Sequence, residues 1–470
     1  MSIAVRPSET PATAANRAER GKAARARSPR SGHGGWTPAG GRADPVATLE
    51  AQAATRVGDL VPIRYGRMLL SPFSFFRGAA AIMAGDLAGT PESGITVQSC
   101  GDAHLSNFGV YAAPDRRLVF DLNDFDETLP GPWEWDVKRL AASLEVAGRD
   151  RGWKPKRRRR IVLGAVGEYR DAMRRFATIG HLRVWYARLD VASFLEADRR
   201  LAADTRSAAE RATARARAKT SLRAVTKLTE RVDGRVRFIS DPPLIVRLED
   251  LVGQGELGDP QAQIDELLAQ YRRSLSPEVS YLLAGYKAVD MARKVVGVGS
   301  VGTRAWIIML AGADEGDPLV LQAKEAQPSV LEAHLGASTY DNHGERVVHG
   351  QRFMQAASDA LLGWQRVLGI DGRDRDFYVR QLWDGKGSVD VESIPVGQME
   401  VYARMCGWTL ARAHARSGDR VAIAAYLGGG DPFDRAMVEF ADAYADQNEL
   451  DFKALERAVE DDRVPATLGL

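Results

Sequence analysis

An α+β fold of two lobes with an additional helical segment is predicted by three features of the sequence. At 470 residues, the chain exceeds the size at which a single hydrophobic core stops growing. Between about 155 and 290, Ala, Leu, Arg and Glu recur at helical spacing, with a break at Asp241-Pro242-Pro243. After Lys294, short β-type runs appear at Ala305–Leu310, Leu319–Lys324 and Phe377–Leu382, as expected of an antiparallel sheet. One helix is expected among these runs, from about Glu345 to Val367, and helices resume from Gln398 to the end.

Composition narrows the class. Apolar residues make up 45% and charged residues 27%, ordinary values for a globular chain. The 64 basic and 62 acidic side chains leave a formal charge of +2, so no global field draws in nucleic acid. Cys100 and Cys406 are the only cysteines, too few for a disulfide framework and suited to a reducing compartment, so a cytoplasmic location is expected. No apolar run approaches the roughly 18 residues of a membrane span, and no short apolar core marks an export signal at the N-terminus.

Residues 1–45 are rich in Ala, Arg, Gly, Pro and Ser without apolar periodicity, so they are expected to form a disordered basic tail, the one part suited to nucleic acid or anionic lipid. Farther on, Ser71-Pro72-Phe73-Ser74-Phe75-Phe76-Arg77 supplies core aromatics. Arg64, Arg67 and Arg77 exceed what a core needs and are candidates to hold a phosphate or to form surface ion pairs. Six basic residues in seven at Lys154–Arg160, without interleaved aromatics, read as a solvated helix start.

The chemistry concentrates after a short strand at Ile95–Gln98. Gly101-Asp102-Ala103-His104-Leu105-Ser106-Asn107 places an acid, an imidazole and an amide within six positions. Phosphoryl transfer to an alcohol needs a carboxylate to accept the hydroxyl proton and oxygen ligands to hold magnesium on the phosphates. Asp102 suits the first task and Asn107 the second. Leu118–Leu122 then runs as a strand into an acidic turn with Asp121, Asp124, Asp126 and Glu127, four acids in seven residues that repel unless a cation neutralises them. Magnesium prefers such oxygen ligands, which makes Asp124 and Asp126 candidates beside Asn107.

These residues resemble the motifs of aminoglycoside phosphotransferases, choline kinases and, more distantly, protein kinases. Asp102, Asn107 and, 17 residues later, Asp124-Phe125 follow the order of base, metal-binding Asn and metal-binding Asp in those families. Gly131-Pro132-Trp133-Glu134-Trp135-Asp136 is similar to the segment after the metal aspartate in small-molecule kinases. That similarity implies that Asp136 buttresses the catalytic loop, with His104 as a second structural support. The whole chain also looks like a large bacterial family described only as a domain of unknown function. The resemblance implies a kinase-like fold, ATP and Mg2+ as cofactors, nucleotide as a partner, and a small-molecule or protein hydroxyl as acceptor.

Lys294-Val295-Val296-Gly297-Val298-Gly299-Ser300-Val301-Gly302-Thr303 holds a G-x-G-x-x-G, a weak signal shared with dinucleotide folds. A dinucleotide turn would open a helix and place an acid about 20 residues on. Here a strand-like run follows, and Lys324 stands where the acid is wanted. A glycine-rich hairpin over Gly297, Gly299 and Gly302 followed by a strand lysine resembles the phosphate-covering loop and phosphate-gripping lysine of kinases. By the same resemblance Glu345 would orient Lys324, with Gln351 and Gln355 as competitors, and Gln381-Leu382 would form the hinge that meets adenine.

In the resembled families the glycine loop and lysine precede the catalytic loop; here they follow it, so a circular permutation is expected. The helix Val401–Arg416, with His414, is similar to the helix that normally runs into the catalytic loop. The implied divisions are the tail, 1–45; the catalytic-loop and metal-motif part of the large lobe, 46–150; the helical segment, 151–293; the small lobe, 294–397; and the C-terminal helices of the large lobe, 398–470. A catalytically inactive nucleotide-binding module is the main alternative. A metal-dependent phosphoesterase is a weaker one, because the other histidines, His33, His181, His334, His343, His349 and His414, lack the settings that chemistry needs.

Overall fold

A computed structural model describes residues 13–192, 203–251, 260–314, 316–369 and 371–470. The strands are β1 (Thr96–Ser99), β2 (Phe108–Ala112), β3 (Leu118–Leu122), β4 (Leu129–Pro132), β5 (Leu189–Asp190), β6 (Thr229–Val232), β7 (Arg235–Phe238), β8 (Ile245–Arg247), β9 (Lys287–Lys294), β10 (Ala305–Ala311), β11 (Pro318–Ala326), β12 (Gly363–Leu368), β13 (Asp374–Gln381) and β14 (Gly387–Ser388). Helices make up most of the remainder, so the protein is a mixed α+β structure. Among the described residues, every strand pairing is antiparallel. A parallel doubly wound sheet around the glycine segment, as a dinucleotide fold requires, is not what forms.

The largest sheet has six strands in the order β12-β13-β11-β10-β9-β8. Side chains alternate across a strand, and the two faces of β11 bury different cores. Leu319, Leu321 and Ala323 pack with Tyr271 and Leu283 from the helices Pro260–Arg272 and Pro277–Ala284, and with Leu275 from the connection between them. Val320 on the opposite face packs with Ala224 and Leu228 of the helix Ser221–Leu228, with Phe238 and with Leu382. Lys324 shares that second face by register.

The helical part is built on the helices Trp133–Asp150, Pro155–Ala177, Val396–Ser417 and Pro432–Glu460, whose apolar stripes join one large core. Val396–Ser417 and Pro155–Ala177 run in close contact at Gly407, where a Cβ atom would lie 2.0 Å from the Ala165 carbonyl oxygen. The basic run at Lys154–Arg160 opens the second of these helices; Arg158 pairs with Glu145 at 2.6 Å and Arg157 with Glu400 at 3.5 Å.

Three expectations about elements are corrected. Residues 1–12 of the expected tail lie outside the described residues, but Ala14–Arg27 forms a helix on the protein surface. Arg17 and Arg20 pair with Asp419 at 2.7 and 2.8 Å, and Gly21 and Ala24 are buried against the rest of the chain. The tail's own composition could not supply an apolar face; the partner helix Arg420–Leu427 does. Next, the stretch read as helical from 151 to 293 also contains β5, β6, β7, β8 and most of β9, and its helices 260–284 cover the large sheet, so that sheet begins well before residue 294. Finally, the helix expected over 345–367 spans only His343–Met354, and residues 363–368 form strand β12.

His33, in the segment expected to be disordered, is 2% exposed, with Nε2 2.6 Å from the Tyr426 hydroxyl. Burial, with Lys138 nearby, pushes its pKa down to about 3. The unfolded chain therefore takes up a proton below pH ~6.5 that the folded chain refuses until about 3. The stability this group contributes is full above pH ~6.5 and is lost as pH falls through that window. In denaturant titrations at a series of pH values, His33→Phe is expected to remove up to about 1.4 kcal/mol per pH unit from the slope between those limits. Equal slopes in the two proteins would show that the ring is not sequestered.

Candidate functional site

Strand β1 delivers the chain into Gly101, whose φ of 81° lies in the left-handed region and whose Cβ, if present, would sit 2.2 Å from the Glu127 carbonyl oxygen. Only glycine lets the loop lie this close to the acidic turn. Asp136, near the start of the helix Trp133–Asp150, accepts from the Cys100 amide at 2.7 Å and the Gly101 amide at 2.9 Å. Its Oδ2 is also 3.0 Å from His414 Nε2, and His414 Nδ1 is 2.9 Å from the Tyr169 hydroxyl. The fixed carboxylate therefore holds the loop backbone and ties it to the helix Val396–Ser417.

One turn along the same helix, Arg139 holds Asp102, with Nε and Nη2 both 2.8 Å from Oδ1. Burial raises the Asp102 pKa to about 6, although the charge and hydrogen bond of Arg139 oppose the rise. A carboxylate poised there is ionised at neutral pH and basic enough to take a proton. His104 Nε2 is 3.6 Å from Asp102 Oδ2, and Nδ1 accepts from the Ser106 amide at 3.2 Å. Burial, reinforced by Arg139 and Arg77, holds the imidazole well below its usual range, so the ring is neutral and acts as a spacer.

Asn107 closes the loop. Its amide nitrogen donates to the Asp102 carbonyl at 2.7 Å, which turns the amide oxygen away from that contact as an available ligand atom. Its carbonyl accepts from the Asn123 amide at 2.9 Å, continuing the β2–β3 hairpin whose register pairs Phe108 with Leu122. Hairpin pairing thus sets Asp124 one residue beyond the position opposite Asn107.

Lys324, in β11 and 3% exposed, reaches this turn from a strand 198 residues away in sequence: Nζ is 2.6 Å from Asp126 Oδ2 and 3.6 Å from Asp124 Oδ2. Burial alone would lower the lysine, but Asp124 and Asp126 hold it above its usual value. Burial alone would raise Asp126, but Lys324 and the Tyr378 hydroxyl, 2.6 Å from Oδ1, hold it below the usual carboxylate range. Ser300, in the connection between β9 and β10, lies 3.4 Å from the same carboxylate. Both oxygens of Asp126 therefore already carry a partner. Asp124 is similarly exposed, 32% against 28%, but its contact to Lys324 is the longer one, which makes it the freer carboxylate.

Asp102, His104, Asn107, Asp124 and Asp126 line one cavity of about 600 Å³, together with Gly297 and Gly299. Gly302 belongs to the same connection, which joins two antiparallel strands as a hairpin. Other candidates are not brought to this cavity. Glu345 lies in the first turn of its helix, 3.5 Å from His349, and does not meet Lys324. The next residue, rotated about 100° around the helix, points inward instead: Arg346 donates to the carbonyls of Asp126, Thr128 and Gln327 at 2.7–2.8 Å. Gln351 donates to Gln355, which in turn donates to the Leu122 carbonyl. The Gln381 amide is taken by Asp359 and the Leu382 amide by the Val320 carbonyl, while the Leu382 side chain is sealed under the helix Ser221–Leu228. These two are not free to meet an adenine.

Sequence reasoning passed over Arg139, Arg346, Tyr378 and Arg56, all of which touch this region. Arg139 had a signal: it lies three residues after Asp136, so both fall on one helix face. The others come from distant segments and leave no local pattern.

The donor set can be tested for magnesium. Among the described residues, no three Asp, Glu, His or Cys side chains group into a ready-made metal cage. The Asn107 amide oxygen and the Asp124 carboxylate remain as hard oxygen ligands, which fits an ion that keeps several waters and takes its other ligands from phosphate. Asp126 does not fit, because Lys324, Tyr378 and Ser300 already occupy it.

Among the described residues, no helix is long and apolar enough to cross a membrane. A family model described as an uncharacterised protein conserved in bacteria (DUF2252) matches residues 56–458. Neither the curated proteins nor the solved structures contain a match to the chain.

Proposed function

We propose a function from the site alone, because the chain belongs to the bacterial family DUF2252, whose description assigns none: it is an ATP- and magnesium-dependent phosphotransferase acting on a hydroxyl acceptor. The observation that carries this reading is the meeting of Lys324 with Asp124 and Asp126, beside Asn107 and Asp102, under a glycine hairpin. A lysine on a strand, an amide and two acids from a separate hairpin are the parts needed to grip and neutralise phosphates.

A circularly permuted kinase-like fold fits the same facts. The helix Val396–Ser417 ends at Gly418 beside Thr96 and Val97 of β1, where a Cβ would be 2.5 Å from Val97 Cγ1. The helix expected to run into the catalytic loop thus stops against the strand that does so, with the covalent link moved elsewhere.

In this reading Asn107 and Asp124 would hold magnesium, which supplies neutralisation of phosphate charge. Lys324 orients Asp124 and grips phosphate oxygens, and the glycine hairpin excludes water. Asp102 takes the hydroxyl proton as the acceptor oxygen bonds to the γ-phosphorus and the bond from that phosphorus to the β–γ bridging oxygen breaks, releasing ADP. Arg139 keeps Asp102 aimed and ionised.

A module that holds nucleotide without transfer is the second reading; it uses the same Lys324, Asn107 and Asp124 phosphate position, and the engaged amides of Gln381 and Leu382 count against an adenine at that strand in both readings. Asp102→Ala separates the two. It is expected to leave nucleotide affinity within about twofold of wild type while lowering ATP turnover by ~10²-fold, the usual contribution of a positioned base. Turnover unchanged by this substitution would remove the transfer assignment.

A further inference from the structure

The cavity that holds the acidic turn is also lined, on a basic wall, by Arg56, Arg64 and Arg77. None of the three forms an ion pair, and acids such as Glu127 and Asp102 act on them only from a distance. Among the described residues, no carboxylate lies within 4.0 Å of any of the three. Arg64 is 1% exposed and uses Nη2 on the Gln52 side chain at 2.8 Å and the Gly78 carbonyl at 3.1 Å, yet its Nε and Nη1 have no partner. Arg56 donates Nη1 to the carbonyls of Gly299 and Val301 in the glycine hairpin, and its Nε is unpartnered. Arg77 forms no side-chain hydrogen bond with the described residues, and its Nε is buried.

Burying three guanidinium groups without acids is costly, and the cost shows as lowered pKa values, through desolvation, for all three. Two other buried arginines near this site are paired instead: Arg139 has Asp102 and Arg412 has Asp121. Three guanidinium forks lining one cavity, with four nitrogens that meet no acceptor of the protein, exceed what a neutral hydroxyl can satisfy and suit a phosphate-type oxyanion, whose oxygens accept from several forks at once.

We propose that Arg56, Arg64 and Arg77 form an oxyanion subsite, and that the acceptor is a phosphorylated alcohol seated with its phosphate on this wall and its hydroxyl at Asp102. The second half rests on the phosphotransferase reading above. Two features assign the anion to the acceptor rather than to the nucleotide. In the reading above Lys324, Asn107 and Asp124 serve the nucleotide phosphates, and Asp102, the acceptor's base, lines the same cavity as Arg77 and is the acid whose charge acts most on it.

The test uses the full chain and inorganic phosphate, without nucleotide or metal, followed by calorimetry. Saturable phosphate binding is expected, weakened at least tenfold in Arg77→Gln and in Arg77→Lys, which keeps the charge but loses the fork, and not weakened in Asp124→Ala. Arg77 makes no bond to the described residues, so these variants are expected to fold, and a circular dichroism melt checks it; Arg56→Lys serves as the second variant. Absence of phosphate binding, or binding indifferent to Arg77 and Arg56, overturns the subsite. Mg-ATP is then titrated at saturating phosphate. Binding of both together, with Mg-ATP affinity changed less than about twofold, supports the acceptor assignment; competition gives the arginines to the nucleotide and overturns it. Phosphate binding with no Mg-ATP binding at all keeps the subsite and removes the phosphotransferase reading with its acceptor.

Discussion

Replacing Asp124 by Ala is expected to lower any ATP turnover by ~10³-fold or more, the scale on which a charge-stabilising group contributes to phosphoryl transfer. Asp124 meets Lys324 only at 3.6 Å, while Asp126 is engaged by Lys324 and Tyr378 at 2.6 Å each. Its loss takes one of two oxygen ligands from the proposed magnesium position and leaves Lys324 tied to Asp126 alone. Magnesium-dependent nucleotide binding is expected to fall with it, unlike in Asp102→Ala. Asp126→Asn is expected to act through Lys324 instead, since its carboxylate orients the lysine. Turnover in Asp124→Ala within tenfold of wild type would place the chemistry elsewhere.

The largest stability effect is expected at Asp121. This residue and Arg412 are each 1% exposed and form a direct ion pair between β3 and the helix Val396–Ser417. Asp121 also accepts from the Ala356 amide at 3.0 Å and the Leu122 amide at 2.9 Å, and Arg412 donates to the Met354 carbonyl. Asp121→Ala leaves a guanidinium buried without a counter-charge, at a cost of about 3–5 kcal/mol. That is a large part of the ~5–15 kcal/mol that holds a typical domain together. Urea denaturation followed by tryptophan fluorescence would show the lowered midpoint. The double substitution Asp121→Ala with Arg412→Met is expected to recover part of the loss, because no unpaired charge remains. A single substitution costing under about 1 kcal/mol would mean that the pair is solvated in solution. The pair anchors β3 just before Asp124, so the same substitution is expected to loosen the acidic turn.

The parts of the site that sequence made legible are those made by local pairing. Asp102, Asn107 and Asp124 lie within one loop and one hairpin: β2–β3 pairing brings Asp124 beside Asn107, whose side chain bonds the Asp102 carbonyl. Asp136 was legible as a buttress only through the resemblance of Gly131–Asp136 to the segment after the metal aspartate in small-molecule kinases, and it accepts from two loop amides. Lys324 was found through a strand pattern and a motif resemblance, and its 198-residue jump to Asp126 is a tertiary fact that no periodicity encodes. Glu345 shows the limit of motif distance: a shift of one position around a helix puts Arg346 at the site instead. The hinge assignment failed on a segment whose role is visible only in three dimensions, since Ser221–Leu228 covers Leu382 from far upstream. The helix Ala14–Arg27 was illegible for a related reason. Its Ala and Arg content gives no apolar stripe, and its order comes from docking on Arg420–Leu427 and from Asp419.

The central claim is that the acidic turn and Lys324 together hold a magnesium-bound nucleotide phosphate, and titration of ATP into the full chain by calorimetry, with and without magnesium, tests it most directly. The expected result is saturable binding that requires magnesium and is lost in Asp124→Ala and in Lys324→Ala, with both variants folded by circular dichroism. No binding by the unmodified protein, or binding of equal strength with magnesium omitted and in both variants, would contradict it.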